Sequence, residues 1–85
     1  MSRIIFTSAA QRDYKKMQND ARKRLESLFD GSFATNPFGS EFDVHKLQEP
    51  LPGYRLRIGD YRVLFKFEPG TITVYKIRQR KEAYR

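Results

Sequence analysis

The sequence predicts an α+β domain in which an N-terminal strand is followed by a helical hairpin and then by antiparallel strands, forming a sheet that the helices cover on one face. Three observations carry this expectation. Gly59-Asp60, a two-residue turn signal, sits between two alternating runs, Tyr54-Arg55-Leu56-Arg57-Ile58 and Tyr61-Arg62-Val63-Leu64-Phe65. Apolar residues recur at helical spacing in two successive stretches before Gly31. A chain of 85 residues is long enough for one modest core but not for a second domain, so residues 1–85 are read as a single domain.

Taken in order, Ile4-Ile5-Phe6 is a short apolar run of β-type residues and reads as the first strand. Ser8 followed by Gln11 has the spacing of a capping box, and Ala10, Tyr14 and Met17 then place a short amphipathic helix over about Ser8 to Met17. Gln18-Asn19-Asp20 reads as the break. Ala21, Leu25, Leu28 and Phe29 repeat the helical period until Asp30-Gly31 ends it, so the two helices form an αα-hairpin. From Ser32 to Gly53, Pro37, Gly39, Pro50, Pro52 and Gly53 interrupt any period, and the stretch reads mostly as loop. Within it Phe33, Phe38 and Phe42 are expected to plug the space between helices and sheet, and a short strand fits near Val44–Leu47.

The hairpin fixes a register. With Gly59 and Asp60 as a type II′ loop, Ile58 stands opposite Tyr61, Arg57 opposite Arg62, Leu56 opposite Val63 and Arg55 opposite Leu64. Side chains alternate across a strand, so Arg55, Arg57 and Arg62 project from one face and Tyr54, Leu56, Ile58, Tyr61, Val63 and Phe65 from the other. The chain then turns at Glu68-Pro69-Gly70-Thr71 and returns as Ile72–Ile77. A bulge is expected near Ile77-Arg78, and counting alone leaves open which face receives Arg78 and Arg80. The second sheet face is expected to be open and basic. Residues Arg78 to Arg85 read as a functional tail or a frayed end.

Composition removes several functions. There is no cysteine, which excludes a disulfide framework, a thiolate metal site and a thiol nucleophile. The opening Met-Ser-Arg-Ile-Ile-Phe-Thr is too short an apolar run for a signal peptide, and no stretch approaches transmembrane length; a soluble cytoplasmic protein without a membrane partner is expected. The net charge is +7, and its distribution is uneven: residues 1–50 hold 8 Lys/Arg against 7 Asp/Glu, while residues 51–85 hold 9 against 3. Such a field favours a polyanionic partner, nucleic acid or an acidic protein. The lone His45 more commonly fills a surface or packing role than that of metal ligand or base. Like charges placed directly opposite each other destabilise a sheet, so the Arg57 and Arg62 pair suits a bound phosphate, although three arginines on a basic protein equally fit a solvated face.

The run Tyr54-Arg55-Leu56-Arg57-Ile58-Gly59-Asp60-Tyr61-Arg62-Val63-Leu64-Phe65, followed by Arg80-Lys81-Glu82-Ala83-Tyr84-Arg85, resembles the RelE/ParE toxin superfamily of toxin–antitoxin modules, and most nearly its RelE branch. The first 53 residues agree in layout rather than in motif. The resemblance implies a RelE-like fold and an mRNA interferase, an endoribonuclease that cuts messenger RNA at the ribosomal A site, uses no metal or cofactor, and is neutralised in an oligomer with a cognate antitoxin. It implies catalytic roles for Arg57, Arg62, Arg80 and Tyr84, and contacts to mRNA or ribosomal RNA for Arg55, Arg57, Arg78, Lys81 and Arg85. Cleavage by a 2′-hydroxyl needs a base, fixed positive charge around the phosphorane and an acid for the departing 5′-oxygen. Tyr84 is the candidate base, whereas a packing tyrosine is the plainer alternative. The acid is a departure from the family pattern. Some relatives carry lysine where Arg55 and Arg57 stand, and arginine does not give up its proton, which leaves Lys81, Glu82, His45 or a water. Gln79-Arg80 likewise replaces the His-Arg of relatives. Two alternatives follow: a ParE-like toxin that inhibits DNA gyrase without cutting RNA, and a catalytically weak relative that mainly binds its antitoxin.

Overall fold

The computed structural model describes residues 2–79, so the predicted site residues Arg80, Lys81, Tyr84 and Arg85 lie outside the described residues. The element order is β1 (Arg3–Phe6), α1 (Ser8–Lys15), α2 (Asn19–Phe29), α3 (Ser32–Thr35), β2 (Val44–Lys46), β3 (Tyr54–Ile58), β4 (Tyr61–Glu68) and β5 (Thr71–Gln79). The five strands form one mixed sheet in the order β1-β5-β4-β3-β2, antiparallel throughout except that β1 runs parallel to β5. The α+β class and the helix-covered face agree with expectation.

The helices bury the face that carries Leu56, Ile58, Val63, Phe65, Ile72, Val74 and Ile77, against Ala10, Met17, Leu25 and Phe33. Phe33 is the hub. It is 0% exposed, and its ring lies 5.2 Å from Phe29, 5.2 Å from Phe42 and 5.5 Å from Phe65. Burying one such ring contributes about 1.5–3 kcal/mol. Phe33 and Phe42 are the plugs that the sequence suggested; Phe38 packs on the same sheet face, against Tyr54, Phe65 and Phe67, but stays 43% exposed and so plugs it only in part.

Several boundaries move for identifiable reasons. The N-cap of α1 is Thr7 rather than Ser8, so the expected capping box does not form. Thr7 is still extended and its N–H donates to the Val74 carbonyl, while its hydroxyl accepts from the Ala10 N–H at 3.2 Å; one residue therefore closes the strand and opens the helix. α2 begins at Asn19, which shortens the expected break to the turn around Met17, a buried residue. Ser32–Thr35 forms a single helical turn inside the stretch read as loop, because burying Phe33 and Ala34 on one side favours a turn there. The Tyr14 hydroxyl donates to the Glu26 carboxylate and ties α1 to α2. Removal from water and then that carboxylate push the Tyr14 phenol up to about 12.

The bulge also lies elsewhere than expected. Leu64 pairs with Lys76 and Phe65 with Val74, so Tyr75 is the extra residue, and Ile77-Arg78 pairs regularly. The carbonyl of Tyr75 accepts from the Thr7 hydroxyl, 3.3 Å away. Beyond the end of β1 the neighbouring edge of β5 is taken over by α1: the Asp13 carboxylate accepts from the Ile77 N–H at 3.0 Å and lies 3.8 Å from Lys76 Nζ.

Candidate functional site

The β3-β4 hairpin has the predicted register residue for residue, Ile58 with Tyr61, Arg57 with Arg62, Leu56 with Val63 and Arg55 with Leu64. Gly59 has φ +56° and no non-glycine residue has positive φ among the described residues, which is the signature of a type II′ turn. Asp60 closes the loop without strain.

Because Arg62 also pairs with Arg78, the shifted bulge places Arg57, Arg62 and Arg78 side by side on the helix-free face, one from each of three adjacent strands. Counting had left the face of Arg78 open, and the position of the bulge decides it. Arg57 is exposed, and Arg62 and Arg78 are half-buried. Among the described residues none of the three forms a salt bridge; the close contacts between basic and acidic side chains there are His45 with Asp43 and Lys76 with Asp13. Three aligned guanidinium groups repel one another, and each presents a planar fork of donors that fits phosphate oxygens.

The next row on this face runs from His45 through Arg55 and Leu64 to Lys76. Arg55 is half-buried, and its Nη1 has no hydrogen-bond partner. Such an atom is costly for a charged group, by about 1–3 kcal/mol or more. His45 pairs in register with Arg55, and its Nε2 lies 3.0 Å from Asp43 Oδ1 with the imidazole 65% exposed. The carbonyl of Asp43 accepts from the Arg57 N–H, so the Asp43 and His45 couple stands beside the arginines. The sequence weighed His45 as one acid among several and did not see its carboxylate partner. The i, i+2 spacing of Asp43 and His45 was the available signal, since those positions share a strand face.

The face is not uniformly polar, contrary to expectation. Leu64 belongs to it and is only 3% exposed. Its register neighbours Arg55 and Lys76 carry long aliphatic stems that can cover it. Tyr75 reaches across from β5, its hydroxyl donating to the Pro52 carbonyl at 2.7 Å, with Lys66 Nζ 5.7 Å above its ring. Burial pushes the Tyr75 phenol up, and the Arg78 charge opposes that shift. Neither Tyr75 nor Lys66 stood out in the sequence, because their meeting depends on the register of β4 with β5.

The small sheet thus carries an αα-hairpin packed on one face and an arginine row on the other. The family model described as ParE toxin of type II toxin–antitoxin system, parDE, matches residues 4–84, and the chain belongs to this family. It is similar to toxin RelE3 of Methanocaldococcus jannaschii, 24% identical over 83 residues that cover 96% of this chain and 94% of that protein. In structure it resembles the RelB–RelE antitoxin–toxin complex from Methanococcus jannaschii, with a TM-score of 0.80, 24% identity and 94% coverage of each chain. It also resembles the archaeal RelE–RelB complex from Pyrococcus horikoshii, with a TM-score of 0.75, 25% identity and coverage of 93% and 94%. No helix among the described residues is long and apolar enough to cross a membrane.

Proposed function

We propose that this toxin is an mRNA interferase of the RelE type, a metal-independent endoribonuclease that cuts messenger RNA in the ribosomal A site and so stops translation. The observation that carries the reading is the in-register row Arg57, Arg62 and Arg78 without a salt-bridge partner among the described residues. Such a row is unfavourable by itself and becomes favourable around a phosphodiester whose transition state gathers negative charge. The unpartnered Nη1 of Arg55 supports a further phosphate contact. Arg57 and Arg62 flank the scissile phosphate, Arg55 and Arg78 hold its neighbours, and the resemblance to RelE-like toxins adds RNA contacts for Arg80, Lys81 and Arg85.

In this mechanism Tyr84 takes the proton from the attacking 2′-hydroxyl, Arg62 and Arg80 stabilise the phosphorane, and the 5′-oxygen leaves with a proton. His45 is the acid. It pairs in register with Arg55 on the arginine face, and Asp43 at 3.0 Å orients its ring. The identity of this acid answers the loss of lysine at Arg55 and Arg57.

A cognate antitoxin is the second partner, as in the RelB–RelE complexes that this chain resembles. A groove of about 800 Å³ between β1, α1 and α2, floored by Ile4, Phe6, Leu25 and Phe29, supports an apolar anchor there. Phe33 cannot serve as that anchor, being 0% exposed.

Induction in cells followed by mapping of RNA 5′ ends tests the reading. Breaks within translated codons are expected. Intact message with DNA damage would instead favour gyrase inhibition, and intact RNA without damage would favour a protein that mainly binds its antitoxin.

A further inference from the structure

We infer that Tyr75 is a base-stacking platform beside the arginine row, taking an unpaired base of the RNA next to the cleaved phosphate; this rests on the nuclease reading above. Ile72 and Val74 face the core, so alternation along β5 turns Tyr75 to the helix-free face, and the bulge there keeps Lys76 on that face beside it before Ile77 returns to the core. The Tyr75 hydroxyl is fastened to the Pro52 carbonyl at 2.7 Å, across β4 from its own strand, which fixes the ring over the helix-free face. A tyrosine that served only as packing would be expected on the helix-covered side, where the core lies.

The surroundings are those of a single-stranded nucleic-acid site, an aromatic ring within a cationic track. Lys66 Nζ stands 5.7 Å from the ring centroid, and the charge of Arg78 is felt at the phenol. Along the strands the Leu64 row and the arginine row are two residues apart, about 7 Å. One nucleotide spans that interval, with its phosphate on Arg62 or Arg78 and its base on Tyr75. Lys66 is an exposed side chain whose ammonium swings from the ring to a phosphate when a base arrives. Stacking of this kind accepts any base, because each has a π face, so the platform contributes affinity and placement rather than a sequence code.

The test uses the full-length protein and a short single-stranded RNA with 2′-O-methyl sugars, which binds but offers no attacking hydroxyl, carrying one 2-aminopurine at successive positions. Wild type is expected to quench the fluorophore at one position only. Tyr75→Phe keeps the ring and is expected to bind within a few-fold of wild type. Tyr75→Leu keeps bulk without a π face and should lose roughly 10-fold or more in affinity, with the quench abolished. The slope of log affinity against log salt should be unchanged in Tyr75→Leu and smaller in Arg62→Ala, since only the arginine releases a counterion. Salt-dependent RNA binding by wild type without a quench at any position, or with full affinity in Tyr75→Leu, overturns the platform and leaves the nuclease reading standing. No RNA binding by wild type even at low salt overturns the platform, and the nuclease reading is then decided by the mapping of RNA 5′ ends in cells. Should Tyr75→Leu unfold, the quench map of wild type and the affinity of Tyr75→Phe decide the matter alone.

Discussion

Arg62 occupies the middle of three aligned guanidinium groups, and at this residue stability and catalysis are expected to diverge. Replacing it by alanine removes a repulsion from both sides and no core contact, so Arg62→Ala should melt at or slightly above the wild-type temperature. Loss of one charge stabiliser in an enclosed site costs about 10²–10³ in rate, and single-turnover cleavage of ribosome-bound message should fall by that factor. Full activity in a normally folded variant would remove Arg62 from the site. His45 offers a sharper separation. If its imidazole protonates the leaving oxygen, His45→Gln should lower the chemical step by about 10²–10⁴. Asp43→Asn, which keeps the contact but not the charge, should show a smaller loss. A single-turnover rate unaltered in His45→Gln would return the proton to water or to Lys81 or Glu82. The tail gives the matching pair: Tyr84→Phe should slow cleavage with little change in RNA affinity, while Arg80→Ala should reduce both, as single-turnover and binding measurements would report.

Elements were legible in the sequence where local chemistry alone determined them. The hairpin register followed from Gly59-Asp60 and the alternation around it, and the two helices from their apolar period. What could not be read depended on contacts between distant segments. Thr7 displaces Ser8 as cap because β5 supplies the Val74 and Tyr75 carbonyls beside it, 67 or more positions later in the chain, and the parallel pairing of β1 has no local signature. The bulge has the same origin, and with it the face of Arg78. Gly53 was visible only as a breaker, yet it has φ +87° and an added Cβ would lie 2.2 Å from the Phe65 carbonyl oxygen. Gly53→Ala should therefore destabilise the domain by at least about 1–3 kcal/mol in urea unfolding, through conformation and collision together. The α1 and α2 junction carries a pH dependence. With the Tyr14 phenol raised to about 12, its contribution is complete below the unfolded value of 10.0 and is lost as pH rises through 12. Tyr14→Phe should be less sensitive over that alkaline window in denaturant titrations.

At the scale of the whole molecule the charge is divided between two surfaces with different tasks. Of the net +7, the excess lies in residues 51–85, which build the arginine face, whereas the groove between β1, α1 and α2 is apolar with Glu26 and Asp30 among its lining residues. An antitoxin with an acidic segment and an amphipathic anchor would engage both, and the two contacts should separate kinetically. Long-range attraction accelerates encounter and is screened within about 10 Å at 0.1 M salt, so the association rate should fall steeply as salt rises. An apolar anchor in a groove of about 800 Å³ is not screened, so the dissociation rate should change little. The measurement is surface-bound kinetics of the toxin with its co-expressed antitoxin from 0.05 to about 1 M sodium chloride, a range chosen to span the screening lengths. A dissociation rate that climbs in step with the falling association rate would mean that the arginine face alone holds the complex. Persistence of the complex in molar salt with slow association is the expected result, and Ile4→Glu, at the groove floor, should then be the variant that speeds dissociation while leaving the salt dependence of encounter intact.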